Sequence, residues 1–227
     1  MCSSDLIIAA ELKFAKHGPV FYEDPVNHLA FAAKSVNQEP GTAAFKGSLK
    51  LAQAPSCEDF FERAMSWKMP THNLICGDNK GNIALQVSGL TPDRDGWSGR
   101  LPVPGTGKYE WKGFRSDLPR EYNPARGYIA TANDNSHPPE YKGRPVLYRT
   151  TTDVDVARIT RIRQMLDEQI KSGKKFTQDD FIRMQQDAYS LRAERDAPFF
   201  KGWKASSAEA EKARAMIEGW DHILKVD

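Results

Sequence analysis

The chain has 227 residues, of which 40% are hydrophobic and 27% charged, and 32 basic against 30 acidic side chains leave a formal net charge of +2. This composition is typical of a globular protein with one large domain or two small ones, not of a disordered chain. The near balance of charge argues against a nucleic-acid partner bound by electrostatic attraction. The sequence also has no run of about 18 apolar residues that would predict a membrane span.

The first residues carry no secretion signal, because no basic start is followed by an apolar stretch and a small-residue cleavage site. The segment from Cys2 to Leu6 is instead similar to the translation of a sequencing-adapter end. We therefore expect residues 1–16 to be a non-native or truncated edge, with the natural gene continuing upstream.

The three cysteines, Cys2, Cys57 and Cys76, are odd in number and include no CxxC pair. Such spacing favours neither a zinc site nor a disulfide framework. The sequence therefore predicts that they are small buried or incidental residues, as free cysteines commonly are.

The first half of the chain has the pattern of two β-hairpins with a helix between them. Short apolar runs flank turn-rich residues at 19–35 and again at 73–87, where an Asn/Gly turn supplies the positive φ that hairpin loops need. Between them, Ser56 can cap a helix that runs to Trp67, with acidic residues in its first turn. This part is therefore predicted to combine antiparallel strands with one packed helix.

Residues 91–123 are rich in proline, glycine and aromatic side chains and are predicted to be a long loop, a kind of segment that is usually functional or held by partners. Gly127 to Ala132 then has the composition of a short strand. It leads into the polar cluster Asn133 to Ser136, a place where either a turn or a functional side chain is expected.

The last third of the chain changes to helical periodicity. One apolar stripe, closed by Gly173, predicts a first helix and consists of Val156, Ile159, Ile162, Leu166 and Ile170. Thr177 and Asp180 have the pattern of a capping box and open a second helix, which the apolar spacing extends to Leu191. A third, Ala-rich helix is predicted over residues 206–218.

Several motifs that carry chemistry in other proteins are incomplete here. Pro104 to Lys108 lacks the first glycine and the final Ser/Thr of a phosphate-binding loop, and residues 78–82 lack the glycine position and closing glutamate of a calcium loop. The five histidines have no metal-ligand spacing, and GxSxG is absent. The sequence therefore predicts no nucleotide site, no histidine metal site and no nucleophile elbow.

Asn133 and Arg158 each have two interpretations. Asn133 favours a turn at the end of the predicted strand, but its amide N–H can also be a donor to a developing oxyanion. Arg158, at the start of a helix, is most simply a surface or ion-paired arginine, slightly against the preference for anions at that end. The residue pattern alone favours the structural interpretation of both.

An ordered series of motifs changes that balance. They are His17-Gly18-Pro19-Val20, Asn73 with Asp78 and Gly81-Asn82-Ile83, Arg100-Leu101-Pro102-Val103-Pro104-Gly105-Thr106-Gly107, Trp111-Lys112-Gly113, Tyr122-Asn123-Pro124, and Gly127-Tyr128-Ile129-Ala130 before Asn133. This series resembles the catalytic subunit of the penicillin acylases, which are N-terminal-nucleophile hydrolases. Weaker motifs continue the match from Arg158 to Asp221, and Arg100 to Gly107 is its most specific part.

The resemblance implies a mechanism and a set of site residues. In that family an N-terminal serine, freed by autoproteolysis, attacks the amide carbonyl with its own α-amine as base, whose ordinary pKa of about 8 suits that role. An asparagine side chain holds the oxyanion, which assigns that role to Asn133, and an arginine that shapes the active site corresponds to Arg158. His72 falls where the family has an acyl-pocket residue, and a histidine there makes a benzyl-type acyl group a poor fit.

The family's nucleophile is not found in this chain. Only 16 residues precede His17, and no serine among them has the expected following Asn and Trp; Ser48 follows a glycine but lies downstream of the motif. The resemblance therefore implies that the serine, a second oxyanion donor and part of the central sheet belong to an N-terminal portion of the same precursor. That portion would comprise the alpha subunit and the start of the beta subunit.

The resemblance implies an α+β fold, a fragment of the αββα four-layer sandwich of N-terminal-nucleophile hydrolases. Residues 17–152 would form a partial core, and residues 153–227 a helical excursion. The expected function is part of an acylase that hydrolyses the amide of an acylated small molecule, such as a β-lactam antibiotic or an acyl-homoserine lactone. The alternative is a catalytically inactive binding or interaction module, which an upstream Gly-Ser-Asn junction in the gene would exclude.

Further expectations concern location, metal and behaviour. The resemblance implies a periplasmic or secreted protein. Calcium is common in the family, although no carboxylate ligands can be assigned here and no other cofactor is expected. A chain that lacks half of a sheet exposes strand edges, so we expect the isolated chain to be inactive and poorly soluble.

Overall fold

The computed structural model describes residues 11–135, 137–143 and 156–225 of the chain. Two compact units are formed. The N-terminal unit contains residues 11–125 with 137–143, and the C-terminal unit contains residues 126–135 with 156–225. Among the described residues, the strands and two α-helices belong to the N-terminal unit and the other α-helices to the C-terminal unit. The predicted α+β class is therefore confirmed.

Two α-helices lie between the third and fourth strands, and the remaining α-helices follow the last strand. The strands are β1 (Phe14–Ala15), β2 (Gly18–Asp24), β3 (Leu29–Ala32), β4 (His72–Gly77), β5 (Ile83–Ser88), β6 (Pro92–Arg94), β7 (Trp111–Phe114) and β8 (Arg120–Tyr122). The α-helices are α1 (Ala44–Leu51), α2 (Cys57–Ala64), α3 (Ala157–Lys171), α4 (Gln178–Gln185), α5 (Leu191–Asp196) and α6 (Ala208–Glu218). Short 3-10 turns cover Val36–Gln38 and Ala197–Phe200.

The first predicted hairpin is confirmed as β2 and β3, with β1 added on the outer side of β2. Its turn is organised by Asp24, whose Oδ1 accepts hydrogen bonds from the backbone N–H groups of Val26 and Asn27, both at 3.1 Å. Such side-chain bonds to the backbone two or three residues ahead are the reason that Asp favours turns. The turn residues next to the strands were therefore enough to predict this hairpin.

The second predicted hairpin is also confirmed, and so is the helix before it, although that helix ends at Ala64 rather than at Trp67. β4 and β5 are antiparallel over six residue pairs, from His72–Ser88 to Gly77–Ile83. Helix α2 starts at the predicted cap, where Ser56 Oγ accepts from Asp59 N at 3.2 Å. Phe60 and Ala64 of α2 are buried with Ala84 of β5, so the helix covers one face of this sheet.

The prediction against a disulfide is wrong, because Cys57 and Cys76 are bonded to each other with their Cα atoms 5.5 Å apart. The two residues lie 19 positions apart in sequence, a spacing that indicates nothing by itself. Packing of α2 on β4 and β5 brings the first residue of the helix beside the end of β4. The predicted burial does hold for Cys57, whereas Cys2 lies outside the described residues.

The predicted long loop at residues 91–123 is interrupted by three short strands. β6 pairs with β7, and β8 joins the far side of β5, so the second sheet has the order β4-β5-β8. These strands have three or four residues, too few to produce an alternating apolar pattern. Their partners are distant in sequence, which is why local composition indicated a loop.

Gly127 to Ala132 does not form the predicted strand. Instead, Ala132 N donates to Asp134 Oδ1 at 3.0 Å, so a local side-chain bond replaces a bond to a neighbouring strand. The apolar residues of this segment were the misleading signal, since they pack within the helical C-terminal unit rather than in a sheet.

The predicted helices of the C-terminal unit are confirmed, with one change of length. Ile159 and Leu166 are the buried residues of α3, and the Thr177 capping box opens α4 as expected. Helix α4 ends at Gln185 instead of continuing to Leu191, because Asp187 pairs with Arg161 and Ser190 caps the new helix α5. Across the described part of the chain, no helix has the length and apolar character needed to cross a membrane.

Candidate active-site residues

Asn133 stands on a tight turn between two buried residues. Ala132 and Asp134 are both buried, and Asn133 itself is exposed with a positive φ of 60°. Asn tolerates this left-handed conformation better than most residues do. The Asp134 carboxylate holds the turn from inside by accepting from Ala132 N at 3.0 Å. The turn therefore presents the Asn133 side chain outward on a fixed backbone.

Arg158 reaches this turn from the first turn of α3. Its Nη1 donates to Asn133 Oδ1 at 3.2 Å, and both side chains are exposed. Because guanidinium has only donors, it bonds to the oxygen end of the amide. The Nδ2 donor group of Asn133 is consequently on the side of the amide away from Arg158. The structure thus brings together the two residues that the resemblance selects.

Three side-chain bonds attach the Asn133 segment along α3. Besides the Arg158 bond, Arg163 Nη2 donates to Asp134 Oδ2 at 3.1 Å, which pairs the buried carboxylate with a charge. Tyr128 hydrogen-bonds Asp167, and burial together with this bond raises the pKa of Tyr128. The position of Asn133 is therefore set by the helix rather than by a strand.

His72 belongs to the N-terminal unit, where it is the first residue of β4 and is exposed. Its ring centroid lies 5.4 Å from that of Trp67, and we call this pair the aromatic wall. Trp67 is fixed by a 2.6 Å bond from its Nε1 to the carbonyl oxygen of Pro70. The sequence placed Trp67 only on the apolar face of a helix, and its contact with His72 depends on the turn between α2 and β4.

Glycines allow the aromatic wall to lie close to its neighbours. A Cβ added to Gly47 of α1 would lie 2.8 Å from the Trp67 Cα, and one added to Gly89 would lie 2.6 Å from the Thr71 Cα. Real Cβ atoms do not approach so closely, so only glycine fits at either place. Gly47 therefore has a packing reason unrelated to any cleavage at Ser48, which lies within α1.

The signature loop, Arg100 to Gly107, is irregular and exposed, and Glu110 follows three residues after its end. The Glu110 carboxylate is 2.7 Å from His17 Nε2 and also pairs with Lys16 and Lys34. The hydrogen bond from His17 is the main cause that lowers the pKa of Glu110 to about 2, with Lys34 and Lys16 adding to it. The segment just after the signature loop is therefore bound to the His17 motif through one carboxylate.

The described residues contain no cluster of the side chains that most often bind metal ions. Within ranges 11–135, 137–143 and 156–225, no group of three or more His, Cys, Asp or Glu side chains is placed to hold a cation. Asp78, in the segment that is similar to a calcium loop, is used by the hairpin turn and accepts from Lys80 N and Asn82 N. We derive no chemical step from calcium.

Known proteins with similar sequences are acylases. The family model described as Penicillin amidase matches residues 5–227. The chain is 29% identical over 218 residues to the Penicillin acylase 2 proenzyme of Pseudomonas sp. (strain SE83), covering 91% of this chain and 26% of that protein. It is 28% identical over 208 residues to the acyl-homoserine lactone acylase QuiP of Pseudomonas aeruginosa, covering 86% and 23%.

A solved structure shares the fold. The penicillin G acylase from Alcaligenes faecalis superposes with a TM-score of 0.72 at 20% identity, over 95% of this chain and 39% of the other. The chain thus spans about a quarter of the length of the curated relatives it matches. Because the family model covers nearly every residue, the chain belongs to the penicillin amidase family of acylase-type amide hydrolases.

Proposed function

We propose that this chain supplies the oxyanion-binding amide and part of the acyl-binding surface of an acylase that cleaves acylated small molecules. An N-terminal serine on another portion of the same precursor supplies the nucleophile. The observation that carries the proposal is the 3.2 Å bond between Arg158 and Asn133, which orients the one amide that the family resemblance selects.

The proposed reaction begins when the serine hydroxyl attacks the substrate carbonyl and its α-amine takes the proton. The carbonyl oxygen becomes an oxyanion, which accepts a hydrogen bond from Asn133 Nδ2. The tetrahedral intermediate then collapses, the C–N bond breaks, and the leaving amine takes the proton back from the α-ammonium group. Water hydrolyses the remaining acyl ester by the same sequence of proton transfers.

Arg158 acts in this proposal as a positioning residue. Its guanidinium holds Asn133 Oδ1, so the donor end of the amide is oriented before substrate arrives. Fixed donors of this kind need no reorganisation when charge develops, which is the source of their catalytic effect. The positive charge of Arg158 also favours an anion nearby.

The aromatic wall is the proposed contact for the acyl group. Trp67 offers an apolar ring, and His72 offers a ring nitrogen that can form a hydrogen bond. The combination suits an acyl chain that is apolar along its length and carries a polar group. β-Lactam antibiotics and acyl-homoserine lactones are the substrate classes that we propose, in line with the names of the relatives.

We also propose a periplasmic or secreted location. The bond between Cys57 and Cys76 supports it, since disulfides persist in oxidising compartments and are rare in the cytosol. Fractionation of cells with an antibody against the chain would test it, and finding the protein only in the cytosol would contradict it.

The catalytic proposal is tested with the precursor that joins this chain to its serine-bearing portion, assayed on a panel of acyl amides. We expect the Asn133→Ala variant to lose about 100- to 1,000-fold in kcat, the usual cost of one oxyanion donor. Asn135→Ala, an exposed asparagine two residues away, is the matched control and should keep its activity. The 227-residue chain alone should show no turnover.

Two results would contradict the proposal. Turnover by the isolated chain that Asn133→Ala abolishes would show that no separate nucleophile is needed. A precursor without an N-terminal serine and without turnover would favour the inactive binding module instead.

A further inference from the structure

Cys57 and Cys76 close a loop that contains both members of the aromatic wall. The cysteines are bonded across 19 sequence positions, with Cα atoms 5.5 Å apart. Trp67 and His72 both lie between them in the chain. The disulfide therefore closes a covalent ring that includes the wall.

Both ends of the loop are anchored in the core of the N-terminal unit. Cys57 is fully buried and clusters with Phe60, Ala64 and Ala84, and Cys76 pairs with Ala84 across β4 and β5. Cys57 N also donates to Asp78 Oδ2 at 3.3 Å. The disulfide thus joins two elements that already pack together, and the turn at residues 65–71 is the part of the loop without regular structure.

We propose that the Cys57–Cys76 disulfide positions Trp67 and His72 for the acyl group, so that reduction weakens substrate binding while the catalytic step is retained. A cross-link between α2 and β4 limits how far the two elements separate, and the turn that carries the wall spans that gap. Holding a binding surface in its bound conformation reduces the entropy lost on association. The effect on substrate binding rests on the proposed function. The presence of the disulfide and its effect on the conformation of Trp67 and His72 do not.

Formation of the Cys57–Cys76 bond is an oxidation, and a thiol-disulfide exchange partner accepts the electrons. Each thiol loses one proton and one electron as the S–S bond forms, and the two electrons reduce a disulfide oxidoreductase or a small-molecule disulfide to two thiols. Dithiothreitol reverses the step and is itself oxidised to a cyclic disulfide. The reaction therefore needs no metal or other cofactor.

The first experiment counts thiols in denaturant. Of the three cysteines, two are in the bond, so the oxidised protein should titrate one thiol and the reduced protein three. In a Cys2→Ser background the values should be none and two. Three thiols in protein purified under oxidising conditions, or a disulfide peptide containing Cys2, would overturn the proposal.

The second experiment follows hydrogen exchange of the 227-residue chain in the Cys2→Ser background. On reduction, we expect exchange in residues 65–72 to rise at least about tenfold, since local opening becomes easier. The β2–β3 hairpin is the internal control and should not change. The Cys57→Ser, Cys76→Ser double variant should exchange like the reduced protein. Unchanged exchange at 65–72 would overturn the positioning role even if the bond is present.

The third experiment uses the active precursor. Reduction should raise KM about fivefold or more while kcat stays within about twofold, the separation expected when binding but not chemistry is affected. An equal fall in kcat, or an unchanged KM, would overturn the substrate part of the inference. Absence of turnover in both redox states would count against the proposed function instead. Hydrogen exchange would still show whether the disulfide fixes the conformation of the aromatic wall.

Discussion

At the scale of residues, the polar side chains of the candidate site are oriented by charged neighbours. Arg158 fixes the amide of Asn133, and Arg163 neutralises the buried carboxylate of Asp134 that supports the same turn. A buried carboxylate without a charged partner destabilises a fold, because burial removes its hydration. Arg158 thus orients the candidate side chain, and Arg163 stabilises the turn that carries it.

His72 should decide which acyl groups are accepted. In the active precursor we expect His72→Ile to raise kcat/KM for apolar acyl amides relative to those with a polar end, changing the ratio about tenfold or more. The reason is that the imidazole can bond a polar group which isoleucine would leave unpaired. His72→Gln, which keeps a donor and an acceptor, should preserve the original preference. Equal ratios in all three proteins would show that His72 does not contact the acyl group.

At the scale of elements, most of the described α-helices begin at a side-chain cap. The signature loop instead lies beside a group of ion pairs. Ser56, Thr177, Ser190 and Ser207 each cap the helix that follows them. The signature loop has no such regular bonds and is connected to the turn before β2 through Glu110. The ionised form of Glu110 is therefore part of the structure of the loop.

Acid should loosen the signature loop. The pKa of Glu110 is lowered to about 2 in the folded protein, below its ordinary value of 4.5, so its contribution is complete above that value. The stability is lost as pH falls from about 4.5 towards 2, since the unfolded chain then binds the proton more readily. We expect urea unfolding to show this loss, and Glu110→Gln to be less stable at neutral pH but less sensitive to acid. The same acid sensitivity in Glu110→Gln would contradict the assignment, with the exposed Glu140→Gln as control.

At the scale of the whole molecule, large apolar side chains remain exposed in both units. In the N-terminal unit, Val26 and Phe21 of the first hairpin are 86% and 69% exposed, and in the C-terminal unit Phe199 and Met216 are 80% and 69% exposed. Where exposed apolar side chains form a patch, it usually marks contact with other polypeptide. The relatives, about four times longer, have further chain that can provide such contact.

The isolated chain should therefore associate in solution. We expect light scattering to show a mass that grows with protein concentration, because exposed apolar side chains and strand edges pair between copies. Co-expression with the serine-bearing portion of the precursor should reduce the association. A monomer with a single cooperative unfolding transition would show instead that the chain is an independent domain.

The sequence alone predicted what depends on neighbouring residues. The two hairpins have their turn residues beside them, and helices α2 and α4 have capping residues at their starts. Helix α3 has its apolar stripe, α6 is rich in alanine, and the ordered motifs indicate the family. The roles of Asn133, Arg158 and His72 were selected by those motifs and stay predictions. Each of these signals is local, so no knowledge of the folded chain was needed.

Tertiary structure decided what depends on residues far apart in the chain. The disulfide between Cys57 and Cys76, the pairing of β6 with β7, and the contact of Trp67 with His72 all arise from packing. The same is true of the Asn133 turn, which was predicted to follow a strand and is held by α3 instead. A short segment has too few residues to outweigh the burial and pairing that distant partners offer, and those partners become neighbours only when the chain folds.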